Sequence, residues 1–245
     1  MPKASILVTT FARDEQLCFG FDSLLRQDLT DIEIVVLNDG PEGNVESICE
    51  DRKIRLITTR NDDHKWRVPG FAFNIGVKQT SSPVVFLTCA EIYHLKDDVQ
   101  IMADAVNENP NILAVPIGRQ DLHGAYLALV RNGISELDQL YKTLPKLKTQ
   151  LPFFMGVSRK QYMAIGGYDE DFTGQAFDDN DIVERLIQAG CTYGLFTQPI
   201  VHLYHERGNY GREVDQRNRW RFNKNLYEQR KGTIVRNSTR EWGVV

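Results

Sequence analysis

Two hydrophobic rhythms alternate along the first part of the chain. Ser5–Thr10 is a continuous apolar, β-branched run of strand length. It is followed by 15–26, where Leu17, Phe21, Leu24 and Leu25 recur at helical spacing. Ile32–Leu37 reads as a second strand and stops at Asn38-Asp39-Gly40-Pro41, a strong turn signal. A short helix over 45–50, a strand over 54–58, a helix over 70–79 and a strand over 84–88 follow. Strands that alternate with helices predict a mostly parallel sheet covered on both faces. Ligands of such sheets bind at the carboxyl ends of strands, where Thr9, Thr10, Asp39 and Cys89-Ala90-Glu91 fall.

Beyond residue 95 the pattern predicts a helix over 97–107 and a strand over 112–116. The stretch 118–150 has no clear period apart from a polar helix over 135–143. A strand over 153–158 and a helix over 159–165 lead to Gly166-Gly167-Tyr168-Asp169-Glu170-Asp171. A second acidic group, Asp178-Asp179-Asn180-Asp181, opens a helix with Ile182, Val183, Leu186, Ile187 and Ala189 on its apolar face and Gly190 as its stop. Late strands are predicted over 193–196 and 200–204. The polar segment 208–227, with Trp220, Phe222 and Tyr227 among arginines, is predicted to be helical in its second half.

At 245 residues, 42% hydrophobic and 25% charged, the composition is that of an ordinary globular protein with a substantial core. The longest apolar runs are strand-sized, so no transmembrane segment is expected. No signal peptide is visible and the four cysteines form no C-x-x-C pair, which points to reduced thiols and a cytoplasmic setting. Charge is unevenly spread. From Arg207 onward there are ten Lys/Arg against four Asp/Glu, a net of +6 within a chain whose total is −4. Such a segment can meet phosphates, or it can be a solvated helix face.

Five stretches carry candidate chemistry. They are Val8-Thr9-Thr10-Phe11-x-Arg13 with Val36-Leu37-Asn38-Asp39-Gly40, then Arg67-x-x-Gly70-x-Ala72-x-Asn74-x-Gly76, Cys89-Ala90-Glu91-Ile92-Tyr93-His94, His202-Leu203-Tyr204-His205, and the paired acidic groups around Gly166-Gly167 and Asp178-Asp179. In this order they resemble the nucleotide-sugar glycosyltransferases of the GT-A fold, the large inverting family 2. The second half is similar to the galactosyltransferase and N-acetylgalactosaminyltransferase C-terminal region. The resemblance covers roughly residues 4–206.

The resemblance implies a single α/β domain of GT-A (Rossmann-like) type, with a mixed, mostly parallel sheet flanked by helices. It divides residues 1–206 into a nucleotide-sugar half (1–95) and an acceptor/catalytic half (96–206), leaving 207–245 as a basic C-terminal extension. Thr9, Thr10, Arg13 and Asp39 would hold the nucleoside of a UDP-sugar; Asp39 has the alternative of a turn residue before Gly40. Asn74 would lie under the sugar donor, and Arg67 or Lys65 would neutralise its diphosphate. The family usually places Asp-x-Asp where this chain has Cys89-x-Glu91. A divalent cation, Mn²⁺ or Mg²⁺, would therefore rest on Glu91 and His205, with His202 as second choice, and Cys89 is a poor ligand for either ion. Asp179 or Asp178 would take the proton of the acceptor hydroxyl; both could instead cap a helix. Asp181 and Asp171 are the next candidates. The acceptor is expected to be a glycan, a small molecule or a hydroxymethylated base in DNA, with Trp220 or Tyr210 stacking on the base. A catalytically silent sugar-nucleotide binding protein is the rival of another class.

Overall fold

The first rhythm folds as a parallel layer. In the computed structural model, which describes residues 1–41, 43–61, 66–134, 137–147, 153–206 and 213–245 (213–216 by backbone only), β1 (Ala4–Thr10) lies between β2 (Ile32–Asn38) and β4 (Val84–Cys89), and β3 (Arg55–Thr58) flanks β2. The connections carry α1 (Asp14–Leu24), α2 (Val45–Asp51) and α3 (Gly70–Gln79). Side-chain alternation along each strand feeds two cores. Ile6, Val8, Val36 and Phe86 face α1 and α2, while Leu7, Val35, Leu37 and Leu87 face α3. Lys65 and Tyr210 lie outside the described residues.

The second half adds β5 (Ile92–His94), α4 (Val99–Glu108), β6 (Ile112–Gln120), α5 (Ala125–Arg131), α6 (Leu137–Thr143), β7 (Phe154–Ser158), α7 (Arg159–Ala164), α8 (Asp178–Gln188), β8 (Thr192–His202) and α9 (Glu213–Arg230). All strands join one sheet in the order β3-β2-β1-β4-β7-β6-β8-β5, with β7 antiparallel to β4 and β6, and β5 antiparallel to β8. The result is a mixed α/β sheet in which β1 to β4 form a parallel half.

Several elements differ from the sequence reading. β6 runs four residues past Pro116 because it pairs in parallel with β8 along its length. β8 is one strand where two were expected: Phe196 pairs with Pro116 and Pro199 with Ile117, so a bulge at 197–198 absorbs the apparent break. The unpatterned stretch holds α5, which is too short for its period to show. It follows Gly124 in a left-handed conformation and buries Tyr126 and Leu127 in a third cluster with Tyr93, Val201 and Leu203. Ile187, expected on the apolar face of α8, is exposed. The polar residues Asp178, Asp181 and Arg185 of that helix are buried instead.

Candidate active site

The carboxyl ends of β1, β2 and β4 open into a cleft of about 640 Å³ whose far wall is the start of α8. Thr9, Thr10, Arg13, Asp39, Arg67, Glu91, Asp178, Asp179, His202 and His205 all line it. Thr10 Oγ1 and Asp178 Oδ2 are buried there with no hydrogen-bond partner among the described residues. Orphaned polar atoms in a cleft mark places where a ligand would supply the missing partner.

At one end sits Asp39, 5% exposed. Its carboxylate accepts from Arg67, Nε to Oδ1 and Oδ2 at 3.1 and 3.0 Å and Nη2 to Oδ1 at 2.7 Å, and from the Thr59 hydroxyl. Asn61 Nδ2 donates to the Asp39 carbonyl at 2.7 Å. The carboxylate is thus held by a guanidinium fork, which also stacks on Phe71 at 4.5 Å. Arg67, expected as a diphosphate cation, has its charge engaged by Asp39 instead. Asn74 is corrected outright. It is fully buried away from the cleft and knits the double-glycine turn, accepting from Tyr168 N–H at 2.9 Å and Tyr162 OH at 2.7 Å and donating to Tyr168 O at 3.0 Å and Glu170 Oε1 at 2.9 Å.

In the middle, Cys89, Glu91 and His202 place ligand atoms within 4.8 Å of one another. His205 Nε2 stands 3.9 Å from Glu91 Oε1, and Arg13 Nε donates to the same oxygen at 3.0 Å. The His202 ring packs against Phe153 at 5.0 Å and His205 at 5.4 Å. Burial holds His202 neutral, its pKa pulled down to about 4. Neutral imidazole is the form that binds metal. Burial and the neighbouring Glu91 charge keep the Cys89 thiol protonated, which makes it a poor ligand. One carboxylate and two imidazoles suit Mn²⁺ better than Mg²⁺, which favours oxygen donors in a near-ideal octahedron.

At the far wall the two acidic groups part company. Gly166 and Gly167 are both left-handed, with φ 77° and 66°, and a Cβ on Gly166 would lie 2.0 Å from the Arg236 carbonyl oxygen. Just beyond, Asp169 meets Arg230 and Arg236, and Asp171 meets Arg230 and Arg240. Asp181 is shared by Arg185 at 2.7 Å and Arg236 at 2.8 Å. These three carboxylates are therefore part of an ion-paired scaffold, and Asp171 and Asp181 are removed as candidate bases. Three arginines of the basic tail, Arg230, Arg236 and Arg240, spend their charge here.

Asp178 and Asp179 remain for chemistry. The residue at the N-cap of α8 is Phe177, which makes no side-chain capping hydrogen bond, and the backbone N–H groups of Asp178 and Asp179 favour the Asp178 carboxylate. Asp178 is 4% exposed and Asp179 half-buried. Burial raises the pKa of both, and the charge of Asp179 raises Asp178 further. The helix N-terminus favours a carboxylate by about 0.3–1 kcal/mol, less than the ~1.4 kcal/mol of one pKa unit, so burial sets the direction. Tyr168 OH donates to Asp179 Oδ1 at 3.0 Å and orients it.

The sequence reading missed Trp66, Phe153, Gln175 and Arg219 among the lining residues. None carries a motif; Arg219 and Trp220 come from α9 and meet the cleft only through the fold.

Sheet order and site together define a GT-A glycosyltransferase fold. Residues 5–166 match the description "Glycosyl transferase family 2", and residues 146–207 match "N-terminal domain of galactosyltransferase". The chain belongs to glycosyl transferase family 2. A protein of Rickettsia bellii (strain RML369-C) called an uncharacterized glycosyltransferase is 21% identical over 159 residues, covering 63% of this chain and 22% of its own length. This chain thus spans less than a quarter of that relative. Among solved structures, the mannosyltransferase PcManGT from Pyrobaculum calidifontis, in complex with GDP-Man and Mn²⁺, has a TM-score of 0.57 at 15% identity, covering 93% of this chain and 62% of that one. GalNAc-T7 with UDP, GalNAc and Mn²⁺ has a TM-score of 0.64 at 12% identity, covering 85% and 45%. Among the described residues no helix is long and apolar enough to cross a membrane.

Proposed function

We propose that this chain is an inverting glycosyltransferase that moves a sugar from a nucleotide diphosphate sugar, a UDP-sugar, to an acceptor hydroxyl. The observation that carries the reading is one cleft with Asp39 at one end and, at the other, a pKa-raised Asp178–Asp179 couple that forms no salt bridge among the described residues. Asp39, fixed by Arg67, accepts from the base N–H or ribose hydroxyls of the donor, and the free Thr10 hydroxyl adds a further hydrogen bond. Asp179, oriented by Tyr168, takes the proton of the acceptor hydroxyl while that oxygen attacks the anomeric carbon. The bond from that carbon to the diphosphate oxygen breaks as the new one forms. Asp178 Oδ2 accepts a hydrogen bond from a sugar hydroxyl.

Glu91, His202 and His205 would hold a divalent cation, which when bound neutralises charge on the departing diphosphate. Arg13, on Glu91, stands where it can add to that role. The intact acidic couple argues against a silent binding protein. The ion pairing of Arg230, Arg236 and Arg240 weakens the case for a nucleic-acid acceptor, so glycans and small hydroxylated molecules come first.

The test is transfer from a panel of UDP-sugars and GDP-mannose in the presence of Mn²⁺, with the product's anomeric configuration read by NMR. Release of UDP with inversion is expected. A product that keeps the donor's configuration would overturn the inverting mechanism, and no turnover with any donor would overturn the enzyme reading.

A further inference from the structure

The segment that delivers Asp178 and Asp179 to the cleft takes an expensive path. Ala176 and Phe177 are consecutive and both left-handed, φ 70° and 73°, although neither is glycine or asparagine. Such a pair persists only where its surroundings over-determine it. Among the described residues, helix α9 contacts this segment through side-chain hydrogen bonds and ring packing. Asn223 of α9 is fully buried and spends its whole amide on this segment. Its Nδ2 donates to Ala176 O at 2.9 Å and Gln175 O at 3.4 Å, and its Oδ1 accepts from Thr173 N–H at 3.3 Å and Gly174 N–H at 3.5 Å.

Two further contacts fasten the same joint. A Cβ on Gly174 would lie 2.4 Å from Arg219 Cβ and 3.1 Å from its backbone carbon, so α9 packs directly on that glycine. The Phe177 ring meets Trp220 at 5.3 Å and Tyr227 at 5.6 Å. All these partners lie beyond residue 207, where the matched family regions end. A part of the chain outside the matched family regions therefore supplies the clasp on the part that carries the acidic couple.

We infer that Asn223 is a positioning residue: it holds the left-handed Ala176–Phe177 turn and thereby aims Asp178 and Asp179 into the cleft. The role assigned to the acidic couple rests on the proposed function; the clasp itself does not.

The experiment compares the full chain with Asn223→Ala and with Asn223→Ser, which keeps one polar group in the same space. Asn223→Ala should lower kcat by about 10- to 100-fold, the size of loss that a misplaced catalytic group produces. Donor KM should stay within about threefold, since the nucleoside corner is untouched. Amide hydrogen exchange should quicken in 173–179 and not elsewhere. Adding Ala176→Gly should recover part of the lost kcat, because glycine adopts the left-handed conformation without help. If Asn223→Ala does not fold, the pair Asn223→Ser and Asn223→Ser with Ala176→Gly reads the same rescue.

Val106→Ala, buried on α4 in the core layer opposite α8, controls for general destabilisation and should leave the exchange of 173–179 unchanged. Unchanged kcat and unchanged exchange in a folded Asn223→Ala would overturn the inference. So would exchange that rises evenly over the whole chain, as in the control. If the wild-type chain transfers no sugar, the proposed function fails by itself, and the exchange and its rescue by Ala176→Gly still decide whether Asn223 is the clasp.

Discussion

Replacing Asp179 by Asn should make the protein more stable and much less active at the same time. The side chain is raised from the ordinary 3.8 to about 6, chiefly by burial. A carboxyl whose folded-state pKa is raised binds more protons folded than unfolded, so the wild type loses stability as pH climbs from about 4 to about 6. At about 1.4 kcal/mol per unit, the ionised side chain costs the folded state on the order of 3 kcal/mol above that window. Asparagine keeps an oxygen for the Tyr168 hydroxyl but carries no charge. It also removes the repulsion that Asp179 exerts on Asp178. Because its Nδ2 needs a new partner, the net gain at pH 8 should be about 1–3 kcal/mol. That is roughly 2–4 °C in Tm per kcal/mol for a chain of this size. Below pH 4 the gain should vanish. Transfer should fall by about 10²–10⁴, the usual worth of a general base, and the wild-type rate should rise as pH passes upward through about 6. Denaturant unfolding at both pH values and initial rates at saturating donor measure the two halves. A variant that is less stable at pH 8 than at pH 4 relative to wild type, or one that keeps near-normal transfer, would refute the reasoning.

Asp39→Ala should abolish most of the Tm rise that UDP produces in the wild type, since only ligand bound to the folded state stabilises it; an undiminished rise would reduce Asp39 to a turn residue. Cys89→Asp should tighten Mn²⁺ binding, measured by titration calorimetry, because a hard anionic oxygen replaces a protonated thiol beside Glu91 and His202; unchanged affinity would place the ion elsewhere, and full activity in excess chelator would remove it from the reaction. Arg236→Met should cost about 1.5–3 kcal/mol in denaturant unfolding, because Asp169 and Asp181 each lose one arginine partner while keeping Arg230 and Arg185; a loss below about 1 kcal/mol, the level of an exposed pair, would show that the pairing carries little.

Much of this protein is written in short-range pattern. Apolar runs of strand length, helical spacing at Leu17, Phe21 and Leu24, and turn residues at Asn38–Pro41 place most of the parallel half within a residue or two. The order of the motifs also brings Thr9, Asp39, Glu91, Asp179 and His202 to one cleft, because strand ends of a parallel sheet share an edge. What the pattern could not decide is which groups pair across large sequence distances. Asn74 looks like a donor residue until its amide is seen on Tyr168, 94 positions away. Among five aspartates near the double glycine, only contact with Arg185, Arg230, Arg236 and Arg240 separates the ion-paired scaffold from the couple that lines the cleft. α5 and the continuous β8 escaped because a seven-residue helix shows barely two turns of its period and a bulge imitates a strand end. Local sequence sets backbone conformation through sterics and periodic burial; the state of a carboxylate depends on the charges and solvent around it in space, and those are assembled only by the folded chain.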